Sequence, residues 1–183
     1  MRRVVVIGSS GVGKTTLAGA LAARLGVPHV ELDSIFWGPN WTALGGSLEG
    51  DATFRARIVE ATAGDAWVVD GNYSSVAAGV LWPRADTMVW LDYPLPLVLL
   101  RLLRRSLRRA ITRELLWGTN RETLRELFFA KDSLLYYLLR THRARRRRFA
   151  ECLARPEVTH ATIVRLRSPA QTDTWLQSIH LGP

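Results

Sequence analysis

The sequence predicts a three-layer α/β fold in one domain, residues 1–183, with a five-stranded parallel sheet flanked by helices and a helical lid added to it. Three observations carry this. Short β-branched apolar runs alternate with longer stretches of helical periodicity. Aspartates close three of those runs, at Asp33, Asp70 and Asp92. A glycine-rich turn joins the first run to the first helical stretch.

Each element follows from local pattern. Arg3 to Ile7 reads as a buried strand. Leu17, Ala20, Leu21 and Leu25 recur at helical spacing, so a helix is predicted over Lys14 to Leu25, ended by Gly26 and followed by Pro28. A second strand is predicted from His29 to Leu32, ending at Asp33. Residues 34–50 carry five Gly and Pro residues and read as an irregular loop holding Trp37 and Trp41. A helix is predicted over Asp51 to Ala63, then strands over Ala66 to Val69 and Thr87 to Leu91. A long helix is predicted from about Pro94 to Ala110. A connector follows, with Gly118 and Asn120 at its tip, and then a second long helix from about Arg121 to Leu153, broken near Thr141. Ala161 to Leu166 is the last strand. Ser168 and Pro169 supply an N-cap and a first-turn proline for a closing helix that runs to Ile179. Trp67, Trp82, Trp90 and Trp175 are assigned to the core, whereas Trp37, Trp41 and Tyr73 are candidates for stacking on a ligand ring.

Composition narrows the function. With 48% apolar and 22% charged residues the chain is an ordinary globular one. A single cysteine, Cys152, excludes an internal disulfide framework, and the four histidines have no metal-ligand spacing. No apolar run is long enough for a membrane span and the start is too short for a signal peptide, so a soluble cytoplasmic protein is expected. The net charge of +9 is uneven: segment 101–148 carries +11 and the rest −2. That concentration points to an anionic partner. The chain writes nearly every cation as arginine and keeps only two lysines, Lys14 and Lys131. Position 14 is therefore read as one that needs a compact ammonium.

Gly8-Ser9-Ser10-Gly11-Val12-Gly13-Lys14-Thr15 fits the phosphate-loop pattern G-x-x-x-x-G-K-[ST], between an apolar strand and an amphipathic helix. Backbone N–H groups must wrap a triphosphate, so the loop needs glycines that adopt unusual dihedrals without a clashing side chain. The helix aims its positive end at the phosphates. Lys14 reaches the terminal phosphates, Thr15 offers a hydroxyl to Mg²⁺, and Thr16 completes the nucleotide-binding run. In open α/β sheets the ligand lies beyond the carboxyl ends of the strands, where the three aspartates fall. Asp70 is assigned to the magnesium side. Asp33, followed by Ser34-Ile35-Phe36-Trp37, is assigned to an acceptor. Asp92 is read as a helix-cap residue.

Val68-Val69-Asp70-Gly71 and Asp86-Thr87-Met88-Val89-Trp90-Leu91-Asp92-Tyr93-Pro94 resemble the later strands of adenylate-kinase-like P-loop kinases. The resemblance implies the strand order 2-3-1-4-5, an ATP-contacting arginine at Arg101, a phosphate-binding arginine at Arg105, and another at Arg140, eight residues past Asp132. Leu32 to Trp37, Trp41, Asp70-Gly71-Asn72-Tyr73 and Trp117 to Glu122 look more narrowly like small adenylate-kinase-related proteins labelled DNA topology modulation protein FlaR. Adenylate kinases follow their Asp-Gly with Phe-Pro-Arg, whose arginine holds an acceptor phosphate. Here Asn72-Tyr73-Ser74-Ser75 follows and the next arginine is Arg84. Asp33 in its aromatic loop is closer to shikimate-kinase-like enzymes.

The reading is an ATP- and Mg²⁺-dependent small-molecule kinase whose acceptor is a nucleotide, a nucleoside or another small hydroxyl compound. Lys14, Asp33, Asp70, Arg105 and Arg140 are its catalytic candidates, and Thr15 and Asp70 its metal candidates. Residues 33–50 form the acceptor loop and 105–125 the lid. Arg145 to Arg148, a run around a helix, is assigned to the solvated surface. The alternative is an ATP-binding protein that binds nucleic acid through segment 101–148. No Asn-Lys-x-Asp guanine-reading motif is present, which argues against a GTPase.

Overall fold

The structure is a computed structural model that describes residues 1–72, 76–118, 120–121 and 134–179. Strands β1 (Arg3–Gly8), β2 (His29–Glu31), β3 (Trp67–Asp70), β4 (Thr87–Leu91) and β5 (Thr162–Leu166) form one parallel sheet in the order β2-β3-β1-β4-β5. The helices are α1 (Lys14–Leu25), α2 (Leu32–Phe36), α3 (Leu48–Ala61), α4 (Val76–Leu81), α5 (Leu95–Thr112), α6, described over Leu134–Leu153, and α7 (Pro169–Ser178).

Alternation along the strands divides the core into two. Val5, Ile7, Trp67, Val69, Met88 and Trp90 face one side and pack with Phe54 and Ile58 of α3 and with α4. Val4, Val6, Val68, Val89 and Leu91 face the other and pack with Leu17 and Leu21 of α1 and Val98 and Leu102 of α5. Strand β1 lies in the middle and is buried from Val4 to Gly8, because both of its faces are covered. Trp67, Trp82 and Trp90 are buried and Trp175 is half-buried against the α1 side. Among the described residues no helix is long and apolar enough to cross a membrane.

Several elements depart from the sequence reading. Strand β2 stops at Glu31, and Asp33 lies in the first turn of α2 rather than at a strand end. Residues 34–50 are not wholly irregular: they include most of α2, a 3-10 turn over Pro39–Trp41 and an antiparallel bridge between Trp37 and Ala43. Helix α3 starts three residues early, because the Ser47 side chain accepts a hydrogen bond from the Gly50 N–H at 3.0 Å and caps it. Helix α4 was not foreseen. Helix α6 runs through Thr141 without a break; the Thr141 hydroxyl donates to the Tyr137 carbonyl at 2.7 Å within a continuous helix. The expected start of this helix, with Lys131 and Asp132, and the lid residues 122–125 lie outside the described residues, as does Tyr73. The closing helix is capped as expected, with the Ser168 hydroxyl accepting from the Gln171 N–H at 3.2 Å.

The largest departure concerns Asp92 and Arg146. Asp92 is no simple cap, and Arg146 is no solvated surface charge. The Asp92 carboxylate is fully buried. It accepts two hydrogen bonds from the Arg146 guanidinium of α6 and two from the Arg165 guanidinium of β5. Burial alone would raise its pKa, but the bonds from Arg146 and Arg165 outweigh that and hold the carboxyl below the usual range. This ion triad fastens α6 to the carboxyl end of β4.

Asp92→Asn should therefore destabilise the fold by about 3 kcal/mol, the low end for breaking a buried ion pair because both arginines keep partial solvent contact. Urea denaturation checks this. A depressed carboxyl pKa stabilises the fold above the unfolded-state value and ceases to do so as pH falls through the folded value. The gap between wild type and variant should thus be full at neutral pH and shrink only in acid below the ordinary carboxylate range.

Candidate active site

The sheet opens at its carboxyl edge into a cleft of about 1250 Å³. Its floor is the loop between β1 and α1. Gly11 sits at φ 79°, and a Cβ there would lie 2.9 Å from the Leu102 Cβ, so the loop can lie against α5 only with glycine at this position. Gly13, at φ 106°, forms the N-cap of α1. Two further groups brace the loop. The Asn72 side chain accepts from the Gly8 N–H at 3.2 Å and donates back to the Gly8 carbonyl. Arg101 donates to the Val12 carbonyl at 2.9 Å and lies over the Tyr93 ring at 5.2 Å. Ser10, Gly11, Val12, Gly13, Lys14, Thr15 and Thr16 line the cleft; Gly8 and Ser9 are buried beneath it.

Lys14 is held inside the loop, its ammonium donating to the Ser9 carbonyl at 3.3 Å. Burial pushes its pKa down; Asp33 and Asp70 oppose this, while Arg145 and Arg105 add to it. Lys14 thus shares one cleft with Arg101, Arg105, Arg108, Arg109 and Arg145. Such an arrangement needs anionic ligand charge to be satisfied.

Asp70 is 1% exposed at the end of β3. One oxygen accepts from the Thr15 hydroxyl at 3.0 Å and the other lies 2.7 Å from His29 Nε2. A hydroxyl and a carboxylate oxygen side by side are hard donors that suit Mg²⁺, which takes one or two protein oxygens and fills its shell with phosphate and water. Asp33 and Glu31 also line the cleft. Glu31 is opposite Asp70 in the β2–β3 register and accepts a hydrogen bond from the Trp117 indole N–H at 3.4 Å. Burial pushes the Glu31 carboxyl up, and the Asp70 charge pushes it further.

The structure thus brings together Lys14, Thr15, Asp33, Arg101 and Arg105 around one cleft, with Asp70 buried behind Thr15 and bonded to it. Arg140 is exposed and is not among the cleft residues. Arg145, which the sequence reading left on the surface, lines the cleft instead, held by the Tyr137 hydroxyl at 3.0 Å and stacked over the Tyr137 and Phe149 rings. His29, Glu31, Asn72, Trp117 and Asn120 were missed as site residues. One signal was present for the first two: positions 29, 31 and 33 alternate along a strand and its end. For Trp117 and Asn120 no local signal exists, because their partners are about eighty residues away.

The fold is one also seen in solved kinase structures. The chain is similar in structure to shikimate kinase from Bacteroides thetaiotaomicron (TM-score 0.58, 17% identity, 96% of this chain and 94% of that one). It is similar to shikimate kinase from Acinetobacter baumannii in complex with shikimate (TM-score 0.56, 18% identity, 98% and 90%). It is also similar to a gluconokinase from Sinorhizobium meliloti 1021 (TM-score 0.53, 20% identity, 96% and 91%). At these identities the likeness is one of fold. No protein-family model and no curated protein matches the sequence.

The geometry separates two arginines. Arg145→Ala should weaken nucleoside triphosphate binding by about tenfold, the worth of one charge-assisted contact. Arg140→Ala should leave it near normal. Calorimetric titration of both variants measures the contrast.

Proposed function

We propose that the protein is an ATP- and Mg²⁺-dependent phosphotransferase that phosphorylates a hydroxyl group of a small molecule. The observation that carries this reading is a phosphate loop with Lys14 and Thr15 lining one cleft with Asp33 and five arginines, and with Thr15 bonded to Asp70. Lys14 and the N–H groups of residues 9–15 hold the phosphates, and Arg105 and Arg145 face the charge that spreads over the transferring group. Thr15 and Asp70 would hold Mg²⁺, which supplies charge neutralisation between the terminal phosphates. His29 keeps the Asp70 carboxylate oriented. Asp33 accepts the proton of the attacking hydroxyl.

Support comes from the fold neighbours, which include kinases of shikimate and gluconate, both small hydroxyl compounds. Further support comes from the arginine-rich segment, where Arg101, Arg105, Arg108, Arg109 and Arg145 line the cleft and Arg146 is spent on Asp92. This favours the kinase over the nucleic-acid reading. The narrower affiliation with the FlaR-labelled proteins rests on the sequence motifs alone.

ATP-to-ADP turnover against a panel of sugars, sugar acids, amino alcohols and nucleosides tests the reading. Lys14→Ala should cost on the order of 10²-fold or more in kcat. Asp33→Asn should depress acceptor-dependent turnover with little change in ATP affinity, whereas Asp70→Asn should alter the Mg²⁺ dependence. Near-normal turnover by a folded Lys14→Ala protein would refute the assignment.

A further inference from the structure

Beside the phosphate loop the cleft has a second end of different chemistry. Trp37, Trp41 and Trp117 all line it and are half-buried. The Trp37 and Trp41 rings lie 5.7 Å apart at 84°, and the Trp41 and Trp117 rings 5.7 Å apart at 83°. Successive perpendicular rings make an aromatic corner, and all three side chains line the cleft. The Glu31 carboxylate is tied to this corner by its bond from the Trp117 indole, and Asp33 lies two residues further along the same segment.

The corner is held against resistance. Asn40, Trp41 and Trp117 have φ of 53°, 58° and 46°. Asparagine tolerates this left-handed region, but tryptophan rarely adopts it, at a cost of about 1–3 kcal/mol each, and such residues cluster at functional sites. The restraint is Asn120, 1% exposed. Its side chain accepts from the Trp41 N–H at 2.7 Å and donates to the Gly38 carbonyl at 3.0 Å. Its backbone pairs in both directions with Leu116, at 2.8 and 3.0 Å. One buried amide thus locks the 37–43 loop to Leu116 and Asn120 and sets two tryptophans face to edge.

We infer that the acceptor is a hydroxyl compound bearing an ammonium or alkylated ammonium group, which seats in the Trp37–Trp41–Trp117 corner beside Glu31. The inference rests on the phosphotransferase reading and names its substrate class. Aromatic faces attract cations through the ring quadrupole, most strongly for tryptophan and when water is excluded. The charges agree. Glu31 is the carboxylate bonded to the aromatic corner itself, through the Trp117 indole, whereas Asp70 is engaged by Thr15 and His29. A sugar acid or a phosphate would meet Glu31 and Asp33 as like charges. In the transfer step the acceptor hydroxyl oxygen forms a bond to the γ-phosphorus of ATP. The bond from that phosphorus to the β–γ bridging oxygen breaks, the bridging oxygen leaves with the electron pair as ADP, and the hydroxyl proton passes to Asp33 and then to water.

The test is calorimetric binding of matched probes to the full chain in the presence of a non-hydrolysable ATP analogue. The probes are choline and its uncharged carbon isostere 3,3-dimethyl-1-butanol, and glucosamine with glucose and gluconate. At least one cation should bind about tenfold or more tighter than its neutral twin, and gluconate weakest of the three sugars. Trp117→Ala and the shape-conserving Glu31→Gln should each erode that preference by about tenfold, with ATP-analogue affinity retained as proof of folding. Equal binding of charged and neutral twins, tighter binding of gluconate, or no measurable binding of either cation overturns the inference. Loss of ATP-dependent turnover with cation binding intact would instead remove the phosphotransferase reading and leave the cation site standing.

Discussion

The interaction on which the site depends is the one made by the buried Asp70 carboxylate. A carboxylate out of water is costly unless each oxygen is matched. Thr15 at the start of α1 meets one oxygen and His29 of β2 meets the other. Strand β3, which carries Asp70, is hydrogen-bonded on one side to β1 and on the other to β2, with Asp70 opposite Val6 and Glu31. A single side chain therefore fixes the phosphate loop, the edge strand and the approach to the aromatic end relative to one another. Gly11 adds the complementary steric condition on the α5 side.

The same logic of shared partners operates at the other end of the sheet. Asp92 sits where β4 hands over to α5, and its two arginines come from α6 and β5. Arg146 is thereby anchored inward. One helical step away, Arg145 is turned by about 100° and reaches the cleft, where Tyr137, two turns earlier, supports it. Arg147 and Arg148 remain exposed. Four identical residues in a row hold three different situations, which the helix geometry assigns.

That run also shows where reading from sequence stops. The strands and the phosphate loop are legible because each depends on residues close together: an apolar run, then glycines, then Lys14 at a helix start; the order of the strands came from the family resemblance. Asp33 was legible as a residue of the cleft although its element was not, since its place at the carboxyl edge of the sheet survives the change from strand end to first turn of α2. Arg145, Arg146, His29 and Asn120 were not legible in their roles. Their identities are set by partners 8 to 79 residues away, and nothing local distinguishes an arginine destined for Asp92 from its neighbours. Arg140 illustrates the converse: a spacing borrowed from a related helix cannot say which side of this one meets the cleft.

The near-absence of lysine has a practical side. With arginine carrying almost all the positive charge, the chain presents only two side-chain amines, at Lys14 and Lys131. The first is set in the phosphate loop, where burial lowers its proton affinity. Amine-directed acylating reagents thus find in this protein a very short choice of targets, and one of the two lies at the floor of the cleft. Protection of that amine by nucleotides, read by mass spectrometry of a single peptide, reports occupancy of the phosphate loop without any knowledge of the acceptor.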